Sequence, residues 1–171
     1  MKRHLKVVAA LIKKQGKVLI CQRKENDTLG NLWEFPRGKV EDNETLKEAI
    51  IREIKEELNI EIKVKKLVDK FIEETKNFKI TVYLFESSIK RGEIKPLECK
   101  DFKMVSIDNL SNYQLAPVDE KIADYLKREK SKLRKSSFSH HLFFNMVTYI
   151  FPFYDVINIL SNISRMVSNS F

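Results

Sequence analysis

From Thr45 to Leu58 the apolar residues recur at the spacing of a helix, whereas the apolar segments within residues 4–22 and after residue 59 are patterned as strands. Four of its apolar side chains fall on one stripe: Leu46, Ala49, Ile50 and Ile54. Thr45 followed by Glu48 predicts a capping box at the start of this helix. Because an amphipathic helix buries its apolar stripe, we expect it to pack on a sheet formed by the neighbouring strands.

Strand patterns recur along most of the first 110 residues. We expect strands over five segments: residues 4–12, 17–22, 60–73, 78–86 and 102–107. The first two are separated by a short polar stretch ending in Gly16, which predicts a hairpin. Residues 23–43 are expected to be largely irregular, and a second helix is expected to begin at Pro117. These patterns predict an α+β fold in which a mixed β-sheet lies between helices.

The composition changes near residue 136, which marks a boundary. Residues 1–130 are predicted to form one domain, and residues 131–171 a basic linker followed by an apolar, helical C-terminal extension. Polar residues recur every three or four positions within 142–160, so one interpretation of 136–171 is an interfacial anchor that contacts a membrane peripherally. Packing on the domain or on a second subunit, or an extension without a selected role, are the alternatives.

Charge and cysteine content constrain the partners and the compartment. The formal net charge is +8, which suits an anionic partner, although a Lys-rich solvated exterior explains it equally well. We expect no nucleic-acid partner, because the chain lacks a nucleic-acid-binding motif. Cys21 and Cys99 form no CxxC pair and are interpreted as reduced thiols of a cytosolic protein. The N-terminal apolar run, broken at Lys13, is interpreted as a strand rather than a signal peptide.

A cluster of carboxylates follows the loop that contains Gly38. On the predicted helix Glu53, Glu56 and Glu57 share one face, because positions three and four apart are neighbours. Like charges at this spacing repel, and a hard divalent cation such as Mg²⁺ would reverse the sign of the effect. An exposed acidic helix face has the same pattern, so three glutamates alone do not establish a metal site.

The spacing of this segment resembles the Nudix box, G-x5-E-x7-R-E-U-x-E-E-x-G-U, in which U is a bulky aliphatic residue. The matching residues are Gly38, Glu44, Arg52, Glu53, Ile54, Glu56, Glu57 and Ile60. Asn59 stands where the family usually has glycine, and asparagine tolerates the left-handed conformation expected there. Arg37 stands where many relatives have a second glycine. The resemblance extends over residues 3–130, is closest to the MutT-type branch, and implies a Nudix fold.

This resemblance implies a metal-dependent active site. It implies that Mg²⁺, with Mn²⁺ as the alternative ion, is held by Glu53, Glu56 and Glu57 together with the Gly38 carbonyl. Glu98 matches an additional acidic residue of MutT-type enzymes and is a further candidate ligand or a residue that positions water. The resemblance also implies four catalytic residues: Glu53 is the expected general base with Glu98 as the alternative, Arg52 orients a glutamate, and Glu44 supports Arg52.

The resemblance also suggests which residues contact the substrate. Arg23 and Lys39 are expected to meet phosphates. Phe35, Phe78 and Asp119 match positions that contact the base in MutT-type relatives, where two aromatic rings can sandwich a base. An aspartate can accept hydrogen bonds from 8-oxoguanine or from the exocyclic amine of cytosine, so the sequence leaves the preferred base open.

The expected activity is Mg²⁺-dependent hydrolysis of a nucleoside triphosphate to the monophosphate and pyrophosphate, with 8-oxo-dGTP as the expected substrate. Preference for CTP or 5-methyl-dCTP, or a broad specificity, is the first alternative. A Nudix-type nucleotide-binding module without catalysis is the second, although the intact acidic residues disfavour it.

Overall fold

The computed structural model of the chain describes residues 3–74 and 77–150, with side chains described as far as residue 136. The strands of this part are β1 (Arg3–Lys14), β2 (Lys17–Gln22), β3 (Trp33–Glu34), β4 (Arg37–Lys39), β5 (Glu61–Glu74), β6 (Phe78–Arg91) and β7 (Asp101–Ser106). Its helices are α1 (Leu46–Leu58), a 3₁₀ helix (Ile107–Asn112) and α2 (Pro117–Ile150). The five strands and two α-helices expected from the sequence are therefore confirmed, with shifts at their ends.

The first two strands form the predicted hairpin. Lys13 pairs with Val18 and Lys14 with Lys17, which leaves a two-residue turn between the strands. Gln15 and Gly16 have φ of 50° and 74°. Positive φ at both central positions matches the twist of the flanking strands in a two-residue hairpin.

Strand β1 lies at the centre of a mixed sheet. The strand order is β3-β2-β1-β6-β5, with β4 paired to β1 and β7 paired to β2. Strands β1 and β6 are parallel, and the other pairs are antiparallel. The short strands β3 and β4 lie within the segment predicted to be irregular. They are strands because they pair with β2 and β1, and two or three residues are too few to show a strand pattern in sequence.

The two faces of the sheet build separate hydrophobic cores. On one face Ala9 and Leu11 of β1 pack with buried residues of α2: Val118, Ile122, Ala123 and Leu126. On the other face Val8, Ala10 and Ile12 pack with buried residues of α1: Ala49, Ile50, Ile54 and Leu58. The alternation along β1 follows the two-residue period of a strand. A helix therefore covers each face, which confirms the predicted α+β arrangement.

Helix α1 is capped at both ends by side chains identified in the sequence. The side chain of Thr45 accepts a hydrogen bond from the Glu48 backbone N–H, and Glu48 accepts one from the Thr45 backbone, so the capping box is confirmed. Asn59 ends the helix with φ 56° and ψ 24°, and its N–H donates to the carbonyl of Lys55. Asparagine thus adopts the left-handed conformation for which glycine is commonly used.

Contacts divide the chain into two compact units, Met1–Lys127 and Arg128–Phe171. Helix α2 begins in the first unit, and its backbone is described up to Ile150. Among the described residues, no helix combines the length and the hydropathy needed to span a membrane. The interfacial stripe expected within 142–160 lies outside the described side chains.

Candidate active site

Gly38 and Glu53 are in direct contact where β4 faces α1. A Cβ atom at position 38 would overlap the carboxylate of Glu53. Gly38 is not among the residues with positive φ, so this position needs glycine for space and not for its backbone conformation. The contact places a half-buried carboxylate directly against the backbone of the loop that precedes the helix.

Arg52 holds the surrounding glutamates in place. Its guanidinium donates to Glu44 at 2.6 Å, to Glu53 at 3.0 Å and to Glu56 at 3.1 Å, and also to the carbonyl of Lys39 at 3.0 Å. The hydrogen bond to Glu44, together with those to the other two glutamates, raises the pKa of Arg52 above its ordinary value. One cation therefore orients three carboxylates and ties them to the loop, which is the geometry expected of Arg52 and Glu44.

Glu53 and Glu98 lie close enough to influence each other. Burial raises the pKa of Glu53, the hydrogen bond from Arg52 opposes this effect, and the negative charges of Glu56 and Glu98 add to it. Glu98 is exposed in the loop between β6 and β7, and its backbone N–H donates to the carbonyl of Glu57 at 3.4 Å. The fold therefore brings Glu98 to the carboxylates of α1.

Glu57 is the buried member of the cluster. One of its oxygens accepts a hydrogen bond from the backbone N–H of Arg37 at 3.2 Å. Burial, followed by the charges of Cys99 and Glu34, raises the pKa of Glu57 to about 8. Its carboxylate also lies beside two thiols, Cys21 and Cys99, whose mutual hydrogen bond and burial raise the pKa of Cys21.

The donor set around Gly38 fits a hard divalent cation. Glu53, Glu56 and Glu57 supply carboxylate oxygens, the ligands that Mg²⁺ prefers. Burial is the main cause of the raised pKa values of Glu53 and Glu57, and an excess of nearby negative charge adds to both shifts. A bound cation would relieve this excess, since it favours the ionised carboxylates.

A pocket of about 670 Å³ opens next to this cluster, and Gly38 and Lys39 line it. Its apolar lining includes Leu5, Val7, Leu29, Phe78, Ile80 and Val118. Phe78 is 40% exposed, so its ring is available at the pocket wall. The volume suits a small-molecule ligand of nucleoside size. Lys39 and Phe78 are thus both found at the pocket.

Phe35 and Asp119 lie elsewhere than expected. Phe35 is completely buried in the core that α2 covers, so its ring is not available to stack on a base. Asp119 is also completely buried and accepts hydrogen bonds from the Phe35 backbone at 2.9 Å and from Arg37 at 2.6 Å. Burial raises the pKa of Asp119 to about 6 despite the opposing charge of Arg37. Neither side chain is part of the pocket lining, and Asp119 reaches the pocket only through Arg37.

Two pocket residues escaped the sequence reasoning, Glu34 and Arg37. Glu34 accepts hydrogen bonds from Arg37 at 2.5 and 2.8 Å and from Arg23 at 2.8 and 3.0 Å. The guanidinium of Arg23 therefore binds Glu34, whereas the sequence predicted that it would contact a phosphate. Arg23 also lines the pocket. Arg37 is not among the residues with positive φ, so an arginine fits this position without backbone strain. The sequence contained one indication of Glu34, because this acidic residue lies between two apolar aromatic residues, Trp33 and Phe35.

Comparison with known proteins places this geometry in context. A model of the NUDIX domain matches residues 2–127. The chain is 34% identical over 115 residues to a CTP pyrophosphohydrolase of Escherichia coli, covering 67% of this chain and 85% of that protein. It is 38% identical over 85 residues to an 8-oxo-dGTP diphosphatase of Proteus vulgaris, covering 49% and 76%. The crystal structure of a MutT protein from Methanosarcina mazei matches with a TM-score of 0.69 and 27% identity, covering 75% and 96%.

Proposed function

Because this chain belongs to the NUDIX hydrolase family, we propose that it is an Mg²⁺-dependent pyrophosphohydrolase that converts a nucleoside triphosphate to the monophosphate and pyrophosphate. We propose 8-oxo-dGTP as the substrate, and Mn²⁺ as an ion that can replace Mg²⁺. Family membership supports hydrolysis of nucleoside diphosphate-linked compounds, and the particular reaction is argued from the residues of the site.

One observation carries the proposal: the carboxylate cluster lies at the edge of a pocket of nucleoside size. Gly38 contacts Glu53 and also lines the pocket. Lys39 lines the pocket and gives its carbonyl to Arg52. A nucleoside bound in the pocket would therefore place its phosphates near the carboxylates, with the Lys39 ammonium available to them.

The residues of the cluster have separate roles in this reaction. Mg²⁺, when bound by Glu53, Glu56 and Glu57, would neutralise the phosphate charge and make the attacking water more acidic. Glu53 accepts the proton of the water that attacks the β-phosphorus. Glu98 is the alternative base. The bond from the β-phosphorus to the oxygen it shares with the α-phosphate then breaks, and the monophosphate leaves.

Arg37 provides donors at the base-binding end of the pocket. Its Nε and Nη2 bind Glu34 and Asp119, which orients the guanidinium. The Nη1 group of the same planar fork can donate to a carbonyl oxygen of a base. 8-Oxoguanine has two such oxygens, and cytosine has one. CTP and 5-methyl-dCTP are therefore the second candidate substrates, supported also by the similarity to a CTP pyrophosphohydrolase.

A panel of triphosphates tests the proposal. The full chain with Mg²⁺ is given 8-oxo-dGTP, dGTP, CTP, 5-methyl-dCTP, dATP and, outside the triphosphates, ADP-ribose. Pyrophosphate and phosphate release are measured separately for the triphosphates, and AMP release is measured for ADP-ribose. We expect pyrophosphate from 8-oxo-dGTP in the wild type and in Glu93→Gln, which makes the same chemical change on an exposed glutamate of the Glu98 loop. Glu53→Gln should abolish it. Turnover of none of these compounds contradicts the proposal and favours a binding module, whereas full turnover by Glu53→Gln contradicts the role proposed for Glu53.

A further inference from the structure

Beneath the carboxylate cluster, two thiols and one carboxylate converge from three separate parts of the chain. Cys21 lies on β2, Glu57 on α1 and Cys99 in the loop between β6 and β7. Their ligand atoms all lie within 4.8 Å of one another, and all three side chains are buried. Each residue faces the same point from a different element of the fold.

The backbone holds this group together. The N–H of Lys100, next to Cys99, donates to the carbonyl of Gln22, next to Cys21, at 2.7 Å. On the other side of Cys99, the N–H of Leu97 donates to the carbonyl of Glu57 at 2.9 Å. The loop is therefore tied to both of the other elements, so little conformational entropy remains to be lost when an ion binds.

The composition of the group selects the kind of ion. Two thiolates and one carboxylate suit Zn²⁺, whereas Mg²⁺ binds oxygen ligands. Three protein ligands also leave one position of a tetrahedral zinc site open. Buried cysteines frequently serve only as small apolar core residues. Here, however, both thiols face a buried glutamate whose carboxylate accepts hydrogen bonds from the backbone N–H of Arg37 and from the Cys21 thiol, so the group offers a third ligand that an apolar core does not contain.

We propose that Cys21, Cys99 and Glu57 form a binding site for Zn²⁺ that is distinct from the Mg²⁺ site. On binding, the two thiols and the protonated Glu57 carboxyl group release their protons to solvent, and two Zn–S bonds and one Zn–O bond form, without any change of oxidation state. Glu57 belongs to both sites, so Zn²⁺ draws its carboxylate toward the cysteines and away from Mg²⁺. Zn²⁺ is therefore an inhibitor of the Mg²⁺-dependent reaction. The binding step stands independently of the proposed function, and only the inhibition rests on it.

Cobalt spectroscopy tests the binding step without any enzymatic activity. The reduced full chain, with both thiols first counted by reaction after denaturation, is titrated with Co²⁺ in the absence of oxygen and of Mg²⁺. We expect one equivalent of Co²⁺ to produce a thiolate-to-cobalt charge-transfer band, and Zn²⁺ to abolish it by displacement. Absence of this band from the wild type overturns the proposal, whatever the behaviour of any variant.

Variants identify the ligands. Cys21→Ser, Cys99→Ser and Glu57→Gln should each weaken Co²⁺ binding by more than about tenfold. Glu56→Gln is the matched control, since it makes the same change on an exposed glutamate of the same helix and should leave the band unaltered. Equal Co²⁺ affinity in the wild type and Cys99→Ser overturns the site. Far-ultraviolet circular dichroism confirms that each variant is folded, and Cys99→Ala replaces Cys99→Ser if the serine variant is not.

A kinetic experiment tests the consequence for hydrolysis. Zn²⁺ added to the Mg²⁺ reaction should inhibit the wild type, and the double variant Cys21→Ser/Cys99→Ser should resist inhibition, with each rate expressed relative to that of the same protein with Mg²⁺ alone. If Co²⁺ binds at the cysteines but Zn²⁺ inhibits both proteins equally, the proposal that Glu57 belongs to both metal sites is overturned. A wild type without hydrolytic activity contradicts the proposed function, and the cobalt band still decides the zinc site.

Discussion

Replacing Glu57 with glutamine should change how the stability of the metal-free protein depends on pH. The folded protein holds Glu57 at a pKa of about 8, against an ordinary value of 4.5, chiefly because the carboxyl group is buried. Between these two pH values the folded state keeps a proton that the unfolded state has lost. Stability contributed by protonated Glu57 is therefore present at low pH and is lost as the pH rises through this range.

The size of the effect follows from the two pKa values. Each pH unit between 4.5 and about 8 changes the free energy of unfolding by about 1.4 kcal/mol. The full range corresponds to roughly 4 to 5 kcal/mol, and water entering the site on ionisation reduces this to about 3 to 4 kcal/mol. Glutamine has nearly the same shape and can still accept the hydrogen bond from Arg37, but it does not titrate.

Urea unfolding in EDTA at half-unit steps from pH 5 to pH 8 measures this difference. The free energy of unfolding of the wild type should fall relative to that of Glu57→Gln by about 2 to 3 kcal/mol across this range, which begins above pH 4.5 and ends where Glu57 is half titrated. Asp119 also titrates in this region, and comparing the two proteins cancels its contribution. Saturating Mg²⁺ should stabilise the wild type more at pH 8 than at pH 5, because the metal binds the ionised carboxylate. Parallel pH profiles for the two proteins in EDTA would refute the reasoning.

Four further substitutions test other parts of the structure. Gly38→Ala displaces the Glu53 carboxylate, so kcat should fall by about a hundredfold while Tm changes little. An unchanged kcat would contradict the contact between Gly38 and Glu53. Arg37→Gly removes the hydrogen-bond donors proposed to contact the base. The kcat/KM for 8-oxo-dGTP divided by that for dATP should therefore fall by about tenfold. A constant ratio excludes Arg37 from base selection. Thr45→Ala should cost about 1 kcal/mol in chemical denaturation through loss of the capping box, and no loss would show the cap to be dispensable. Asn59→Gly should be neutral or stabilising by up to about 1 kcal/mol in the same assay, because Asn59 already has positive φ, and marked destabilisation would contradict that geometry.

Much of the fold could be predicted from local patterns. The hairpin at Gly16 and the caps of α1 depend on residues adjacent in sequence, so their chemistry is visible without the tertiary structure. Strands β3 and β4 could not be found in this way, because their pairing with β2 and β1 defines them rather than any pattern of their own. The burial of Phe35 was missed for the same reason, since an aromatic residue that directly follows a short strand can face either a core or a pocket.

The carboxylate cluster was determined by the sequence itself. Glu53, Glu56 and Glu57 share one helix face because the helical repeat brings side chains three and four positions apart together. Arg52 is close enough along the chain to reach Glu53 and Glu56. The surroundings of Glu57 were decided only by the tertiary structure. Cys21 and Cys99 reach it from a distant strand and loop, and Arg37 meets Asp119 across 82 positions of sequence. Such contacts depend on which strands pair and in which register, and the spacing of residues within one helix carries no information about either.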